Sequence, residues 1–189
     1  FRSNPMGLSE FTLSRRVPEY IGKAKAVMNH EKNRKNGTCP EEVADAIAKI
    51  RTISGFAEIK EEKIDLSSII YAVKPGDGSA REQAASCQRV LLGGANIAKE
   101  YATKRYRSNL INWGMVPFVT VSAPDFADDD YIFVPNIREA LEGSMVNIPA
   151  YVLGETIKPL TLAIAPLTKE EKDIIRAGSL INYNRMLKK

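Results

Sequence analysis

The sequence predicts a single α/β domain built from βαβ units. Short apolar segments alternate with helical segments between residues 69 and 122, each of these helices is followed by glycine, and paired apolar segments follow in the last third. With 189 residues, 44% of them hydrophobic and 26% charged, the chain can bury one core and has the composition of an ordinary globular protein.

The first residues are predicted as a linker. Residues 1–36 mix proline, glycine, serine and cations without sustained periodicity, so we expect an extended arm with a short helix near residues 22–30. The compact domain is then expected over residues 37–189. Because the chain starts at Phe1 rather than at methionine, we expect a cleavage boundary or a cut inside a longer polypeptide.

The segment after the arm is predicted as one helix and two strands. Thr38 and Glu41 have the spacing of a capping box, which predicts a helix over residues 40–51. Residues 53–60 and 68–73 contain short apolar runs and are predicted as strands.

The central segment predicts the βαβ units. The strand that ends near residue 73 runs into a glycine-rich turn, where a helix begins and continues to Gly93 and Gly94. Residues 95–98 predict a strand, residues 100–113 a second helix closed by Gly114, and residues 115–122 another strand. This order favours a largely parallel arrangement.

The last third is predicted as strands followed by a helix. A strand over residues 131–134 precedes a short helix that Asn136 caps, and residues 147–153 and 156–164 predict two paired strands. Thr168 and Glu171 form a second capping box, which opens the final helix.

The residue inventory argues against a metal site in this chain. His30 is the single histidine, and the two cysteines, Cys39 and Cys87, lie far apart in the sequence, so neither a zinc site nor an iron–sulfur cluster can be assembled. Free thiols indicate a reducing compartment, and we expect a cytoplasmic protein. No apolar run is long enough for a membrane span.

The turn at residues 76–81, Gly-Asp-Gly-Ser-Ala-Arg, carries the chemistry of a possible anion site. Its glycines allow a tight turn, and unsatisfied N–H groups at the following helix start attract a carboxylate or phosphate. Ser79 would place a hydroxyl at this point, and Arg81 could clamp a carboxylate with two hydrogen bonds. The same pattern is also typical of a simple helix cap, and the spacing alone leaves both interpretations open.

Residues 76–85 resemble the G-x-G-S-S-R-E-H-A-A motif of the last domain in the aconitase/isopropylmalate dehydratase superfamily. Two further segments match the same domain in the same order. Residues 92–117 contain a Leu-Gly-Gly turn, then Ser-Asn-Leu, then Gly-Met-Val-Pro. Residues 176–182 are similar to an Arg-Ala-Gly-Ser-Ala-Leu-Asn helix. The resemblance therefore runs from about Gly76 to the end of the chain and indicates the C-terminal swivelling domain of an aconitate hydratase-like enzyme.

The resemblance implies a β/β/α-layered domain that closes over partner domains carrying a [4Fe–4S] cluster. It also implies a hydro-lyase that dehydrates and rehydrates a small hydroxy-polycarboxylic acid of the citrate or isocitrate type, as in tricarboxylic acid metabolism. The cluster would be bound by the other domains and no metal by this chain, so this domain alone is expected to be inactive.

The same resemblance assigns roles to individual residues. Ser79 matches the base that takes the proton alpha to a substrate carboxylate, and Arg81 matches a carboxylate ligand. Gly78 and Ala80 lie in the same substrate-binding turn. Arg2 matches a further arginine of the domain, or alternatively is a disordered terminal cation.

Two departures from the motif bear on specificity. Ala80 replaces the second serine and Gln83 replaces the histidine, which affects strict aconitase activity more than hydratase chemistry. One alternative is the small-subunit-type domain of an isopropylmalate or homoaconitate dehydratase. Another is a non-catalytic anion- or RNA-binding module using the basic stretch at residues 99–107, where Tyr101 and Tyr106 are the available aromatics. Nucleic acid and membrane are not the expected partners.

Overall fold

The computed structural model describes residues 3–15, 17–121 and 124–188. This part of the chain forms eight α-helices, one 3₁₀ turn and six strands. In chain order they are α1 (Pro5–Leu13), α2 (Glu19–Lys35), α3 (Glu41–Thr52), the 3₁₀ turn (Glu61–Lys63), β1 (Ser68–Ala72), α4 (Arg81–Val90), β2 (Gly93–Ala98), α5 (Lys104–Asn112), β3 (Val116–Thr120), β4 (Tyr131–Phe133), α6 (Ile137–Glu142), β5 (Ile148–Leu153), β6 (Ile157–Ile164), α7 (Lys169–Ala177) and α8 (Leu180–Leu187).

The strands form one mixed sheet in the order β1-β2-β3-β6-β5-β4. The first three strands are parallel, with α4 and α5 as the crossovers, while β6, β5 and β4 add to β3 in antiparallel pairs. The prediction of an α/β fold with βαβ units is therefore confirmed. All six described strands belong to one hydrogen-bonded sheet.

The main core lies between this sheet and the helices that cover it. On β6 the residues Leu160, Leu162 and Ile164 alternate with more exposed neighbours and are buried, as the period of two in the sequence predicts. Helix side chains such as Ile111 and Ile174 complete the same cluster. The capping box of α7 is present as predicted, since Thr168 Oγ1 accepts from the Glu171 N–H at 3.2 Å and Glu171 Oε2 accepts from the Thr168 N–H at 2.8 Å.

Two local predictions in the first third are wrong. The capping box of Thr38 and Glu41 does not form, because the helix begins at Glu41 itself and Pro40 is its cap without a side-chain hydrogen bond. The predicted strand at residues 53–60 is a series of turns. Its apolar residues Ile53, Phe56 and Ile59 recur every third position, and consecutive members are joined by backbone hydrogen bonds of 3.0 and 3.1 Å, which is the period of tight turns and not of a strand.

The predicted extended arm at residues 1–36 is largely helical. It contains α1 and α2, of which α1 packs on α4 and α2 packs on β1, where the Tyr20 and Ser68 hydroxyls share a hydrogen bond of 3.3 Å. Periodicity failed to indicate α2 because few of its side chains are apolar and one of its buried residues is Glu31, 4% exposed.

Glu31 is buried and pairs with both Arg34 and Lys35, and Arg34 also links α2 to the loop before β1. Arg34 donates to both carboxylate oxygens of Glu31, at 2.9 and 3.0 Å, and their side chains are only 8% and 5% exposed. The same guanidinium donates to the carbonyls of Glu61 and Ile64 at 2.7 and 2.5 Å. Lys35 also pairs with Glu31, at 3.1 Å, but its side chain is 65% exposed. The loss of Arg34 therefore leaves two loop carbonyls without a donor and the buried carboxylate with Lys35 as its partner.

Replacing Arg34→Ala is expected to lower the free energy of unfolding by about 2–4 kcal/mol, because two loop carbonyls lose their donor and the buried Glu31 carboxylate keeps only the exposed Lys35 as a partner. The matched control is Arg51→Ala. Arg51 pairs with Glu61 at 3.6 Å with both side chains more than 40% exposed, and its loss should cost less than about 1 kcal/mol. Urea denaturation of both variants checks this prediction, and equal losses would contradict it.

Candidate functional site

The predicted anion-binding turn joins β1 to α4 at the carboxyl end of the parallel strands. Helix α4 begins at Arg81 with Ala80 as its cap, and no side chain caps its first N–H groups. Gly78, Ser79 and Ala80 are exposed, whereas Arg81 is half-buried. Among the described residues no side chain accepts a hydrogen bond from these N–H groups, so they are open to an anion, and Glu82 is the carboxylate already present in the first turn.

The Arg81 guanidinium includes a buried donor without a partner among the described residues. Its Nε is buried, and no described residue accepts a hydrogen bond from it. A buried N–H of this kind is uncommon and costly unless a ligand or water satisfies it. The structure thus brings Arg81 and Ser79 to the same helix start and leaves the arginine with an unused donor.

The base of the turn is held by α5. Gly76 has a φ of +102°, and a Cβ at this position would lie 2.5 Å from Cβ of Tyr106 and 2.7 Å from its ring. The Gly76 carbonyl accepts a hydrogen bond from Thr103 Oγ1 at 2.9 Å. The first glycine of the motif is therefore required both by its left-handed backbone and by the close approach of Tyr106.

Tyr106 belongs to a buried polar chain that sequence reasoning missed. Gln88 Nε2 donates to Asn96 Oδ1 at 2.5 Å, and Asn96 Nδ2 donates to the Tyr106 hydroxyl at 3.0 Å. Burial raises the pKa of Tyr106, and the hydrogen bond with Asn96 opposes this rise. The chain joins α4, β2 and α5 beneath the turn. The sequence signal that could have found it is Asn96, a polar residue inside an otherwise apolar strand.

Gln83, which replaces the histidine of the motif, faces the N-terminal helix. Its Nε2 donates to Thr12 Oγ1 of α1 at 3.1 Å. Gln83 is exposed and lies in the first turn of α4, next to Glu82 and close to the helix start. The neutral amide is thus used in a contact between helices. Arg2, the further predicted carboxylate ligand, lies outside the described residues.

The two other motif segments contact each other and act in packing. Gly114 has a φ of +72°, and a Cβ there would overlap the carbonyl of Gly178. Gly178, with a φ of +81°, ends α7, and Ser179 caps α8 by accepting from the Asn182 N–H at 3.1 Å. Residues 176–182 therefore form a break between two helices and not one helix, because Gly178 adopts the left-handed conformation that terminates α7.

In the basic stretch considered for RNA, Arg107 and both tyrosines are used within the fold, whereas Lys99, Lys104 and Arg105 are exposed. Arg107 pairs with Glu171 at 3.8 Å and donates to the Pro166 carbonyl at 3.3 Å. Tyr101 donates to the Phe118 carbonyl at 3.0 Å, and burial raises the pKa of this phenol. With Tyr106 also buried, neither tyrosine is placed for stacking on bases.

Within residues 3–15, 17–121 and 124–188, no three His, Cys, Asp or Glu side chains are grouped as metal ligands. Both cysteines are free thiols, with Cys87 buried and Cys39 half-buried. Among the helices that the structure describes, none is long and apolar enough to cross a membrane.

Replacing Gly76→Ala is expected to lower the free energy of unfolding by about 2–3 kcal/mol, because the new Cβ is strained at positive φ and overlaps Tyr106. The control is Gly78→Ala in the same turn, where no atom lies within 4 Å of the position of a Cβ and the loss should stay below about 0.5 kcal/mol. Thermal and urea unfolding measure both. A Gly76→Ala protein as stable as Gly78→Ala would refute the close approach.

Comparison with known proteins supports the resemblance through structure. No protein-family model matches the chain, and no curated protein matches it. A solved structure, 3-isopropylmalate dehydratase from Methanocaldococcus jannaschii, matches with a TM-score of 0.50 and 27% sequence identity, covering 67% of this chain and 68% of that chain. Together with the motif at residues 76–85, this match shows that the chain is a structural relative of the hydro-lyases of the aconitase/isopropylmalate dehydratase superfamily.

Proposed function

We propose that this chain supplies the substrate-binding arginine and the catalytic serine of a hydro-lyase that acts on a small hydroxy-carboxylic acid with two or more carboxylates. The observation that carries the proposal is the placement of Arg81, with a buried and unpartnered Nε, beside the uncapped start of α4 and the exposed Ser79. A carboxylate at this helix start would accept hydrogen bonds from the backbone N–H groups, and Arg81, the first residue of the helix, would supply the guanidinium.

Arg81 is proposed to bind one substrate carboxylate and to orient the acid. A guanidinium suits this role because its planar donors match the two oxygens of a carboxylate. Ser79 is proposed to take the proton on the carbon next to a carboxylate. The alkoxide form of a serine is strongly unfavourable in water, and both the helix dipole and the guanidinium stabilise negative charge at this position.

Gly78 and Ala80 are proposed to let the substrate approach the backbone of the turn. Neither carries a polar side chain, so their contribution is space and N–H groups. In the superfamily the second motif serine adds a hydroxyl where this chain has Ala80. One hydrogen bond to a charged group is worth about 1.5–3 kcal/mol, enough to change substrate preference. Arg2 remains a proposed second carboxylate ligand.

The [4Fe–4S] cluster implied by the superfamily does not fit the described residues of this chain. The chain has two cysteines and a single histidine, and its described residues contain no group of metal-ligating side chains. We propose that partner domains, in the same polypeptide or in a separate subunit, bind the cluster, and that this chain alone is inactive. A cluster of this kind supplies Lewis-acid chemistry at the substrate hydroxyl.

The matched structure favours an acid of the isopropylmalate type, since that protein is named a 3-isopropylmalate dehydratase. An acid of the citrate or isocitrate type is the second candidate, because the serine–arginine motif and the segment at residues 176–182 resemble aconitase.

We propose a cytoplasmic location, with which two free cysteines, Cys39 and Cys87, are compatible.

The direct test is a dehydration assay of the complete enzyme, this chain with its partner domains, after anaerobic reconstitution of the cluster. The panel comprises isopropylmalate, citrate, isocitrate, homocitrate and methylcitrate, followed by alkene absorbance. Turnover of at least one acid is expected, and Ser79→Ala should lower its kcat by roughly 10²–10⁴-fold, the range for removing a general base.

The matched control is Ser86→Ala on the same helix, whose hydroxyl donates to the Gln83 carbonyl at 3.1 Å and should leave kcat within about twofold of the unmodified enzyme. A Ser79→Ala enzyme with unchanged kcat would contradict the role of the serine. Failure of a cluster-loaded enzyme to turn over any acid of the panel would contradict the proposed function.

A further inference from the structure

The hydroxyl of Thr103 makes two hydrogen bonds that connect α5 to the turn. It accepts from the Tyr106 N–H at 3.2 Å, which caps α5, and it donates to the Gly76 carbonyl at 2.9 Å. A hydroxyl is able to donate and accept at the same time, whereas a carboxylate only accepts. The two functions can therefore be separated by substitution.

The contacts around Thr103 continue along the turn. The Ala102 N–H donates to the Pro75 carbonyl at 2.9 Å, and the Glu100 N–H donates to the Val73 carbonyl at 3.1 Å. The segment from β2 to α5 thus runs beside the segment from β1 to Gly76, and Tyr106 fills the space under Gly76. We call residues 73–76 the base of the turn. After this base, Gly78 and Ser79 are exposed and are not packed against other described parts of the fold.

From this arrangement we infer that Thr103 is a positioning residue, which places Ser79 by holding Gly76 while it caps α5. The inference rests on the proposed function of Ser79 as the base. Proton abstraction needs the serine within hydrogen-bond reach of a carbon-bound proton, and a displacement of about 1 Å can lower a rate 10²-fold. Thr103 bonds the base of the turn at Gly76 itself, whereas the Lys74–Glu100 ion pair of 2.8 Å joins the same two segments further from Ser79 and is more than half exposed.

Three substitutions separate positioning from capping. Thr103→Asp retains a favoured cap, because its carboxylate accepts from Tyr106, but it cannot donate to the Gly76 carbonyl. Thr103→Val keeps the shape and loses both bonds. Thr103→Ser keeps both bonds and serves as the conservative control.

The first readout is amide hydrogen exchange of the chain, followed by NMR. The Ala102 amide reports the base of the turn and the Tyr106 amide reports the cap. In Thr103→Asp, Ala102 should exchange about five- to tenfold faster, the factor for one lost hydrogen bond, while Tyr106 is unchanged. In Thr103→Val both should exchange faster, and in Thr103→Ser neither. An Ala102 amide that is equally protected in Thr103→Asp and in the unmodified chain overturns the inference, even if Thr103→Val does not fold.

The second readout is steady-state kinetics of the reconstituted enzyme. Thr103→Asp should lower kcat about tenfold or more, with KM within about twofold, because Arg81 still binds the substrate while Ser79 is displaced. Thr103→Ser should keep the kcat of the unmodified enzyme. An unchanged kcat in Thr103→Asp overturns the inference. Absence of turnover in the unmodified enzyme contradicts the proposed function instead, and hydrogen exchange then decides whether Thr103 holds the turn.

Discussion

The contact between Gly76 and Tyr106 is the constraint on which the candidate site depends. At Gly76 the backbone is left-handed, and the ring of Tyr106 occupies the space of the missing Cβ. Tyr106 is itself held by Asn96, and Asn96 by Gln88, so a buried chain of hydrogen bonds ties together α4, β2 and α5. These hydrogen bonds hold Tyr106 in place under Gly76, at the base of the turn. The turn that carries Ser79 and Arg81 is consequently presented at the carboxyl edge of the parallel strands, where ligands of α/β sheets commonly bind.

The motifs of the superfamily resemblance have different physical roles. The first motif leaves an exposed serine and an arginine with an unused donor at an uncapped helix start, which is an arrangement for binding an anion. The segments around Gly114 and Gly178 meet in a contact that admits no side chain at Gly114. Their glycines let α5 approach the break between α7 and α8, so these segments maintain the fold around the site. Chemistry is therefore proposed only for the first motif.

Sequence reasoning predicted the elements whose apolar periodicity is strong, such as β6 with Leu160 and Leu162, and the turn at residues 76–81. It failed where buried polar groups replace apolar ones. Helix α2 was not predicted in full because Glu31 is buried by its pairing with Arg34, which no hydrophobic pattern reveals. The apolar content of residues 53–60 suggests a strand, but their period of three is that of tight turns. Thr103 and Tyr106 were missed as supports of the turn, since contacts between residues 27 or more positions apart depend on the tertiary fold.

The most direct test of the central claim is NMR mapping of carboxylate binding to the chain. The chain is titrated with tricarballylate, a tricarboxylate without the reactive hydroxyl, and amide and arginine Nε–H shifts are followed. The account predicts the largest changes at Gly78, Ser79 and Arg81, including Arg81 Nε, and their loss in Arg81→Lys, because an ammonium lacks the planar donors of a guanidinium. Shifts concentrated on the exposed cations Lys104 and Arg105, with residues 78–81 unchanged, would contradict the account.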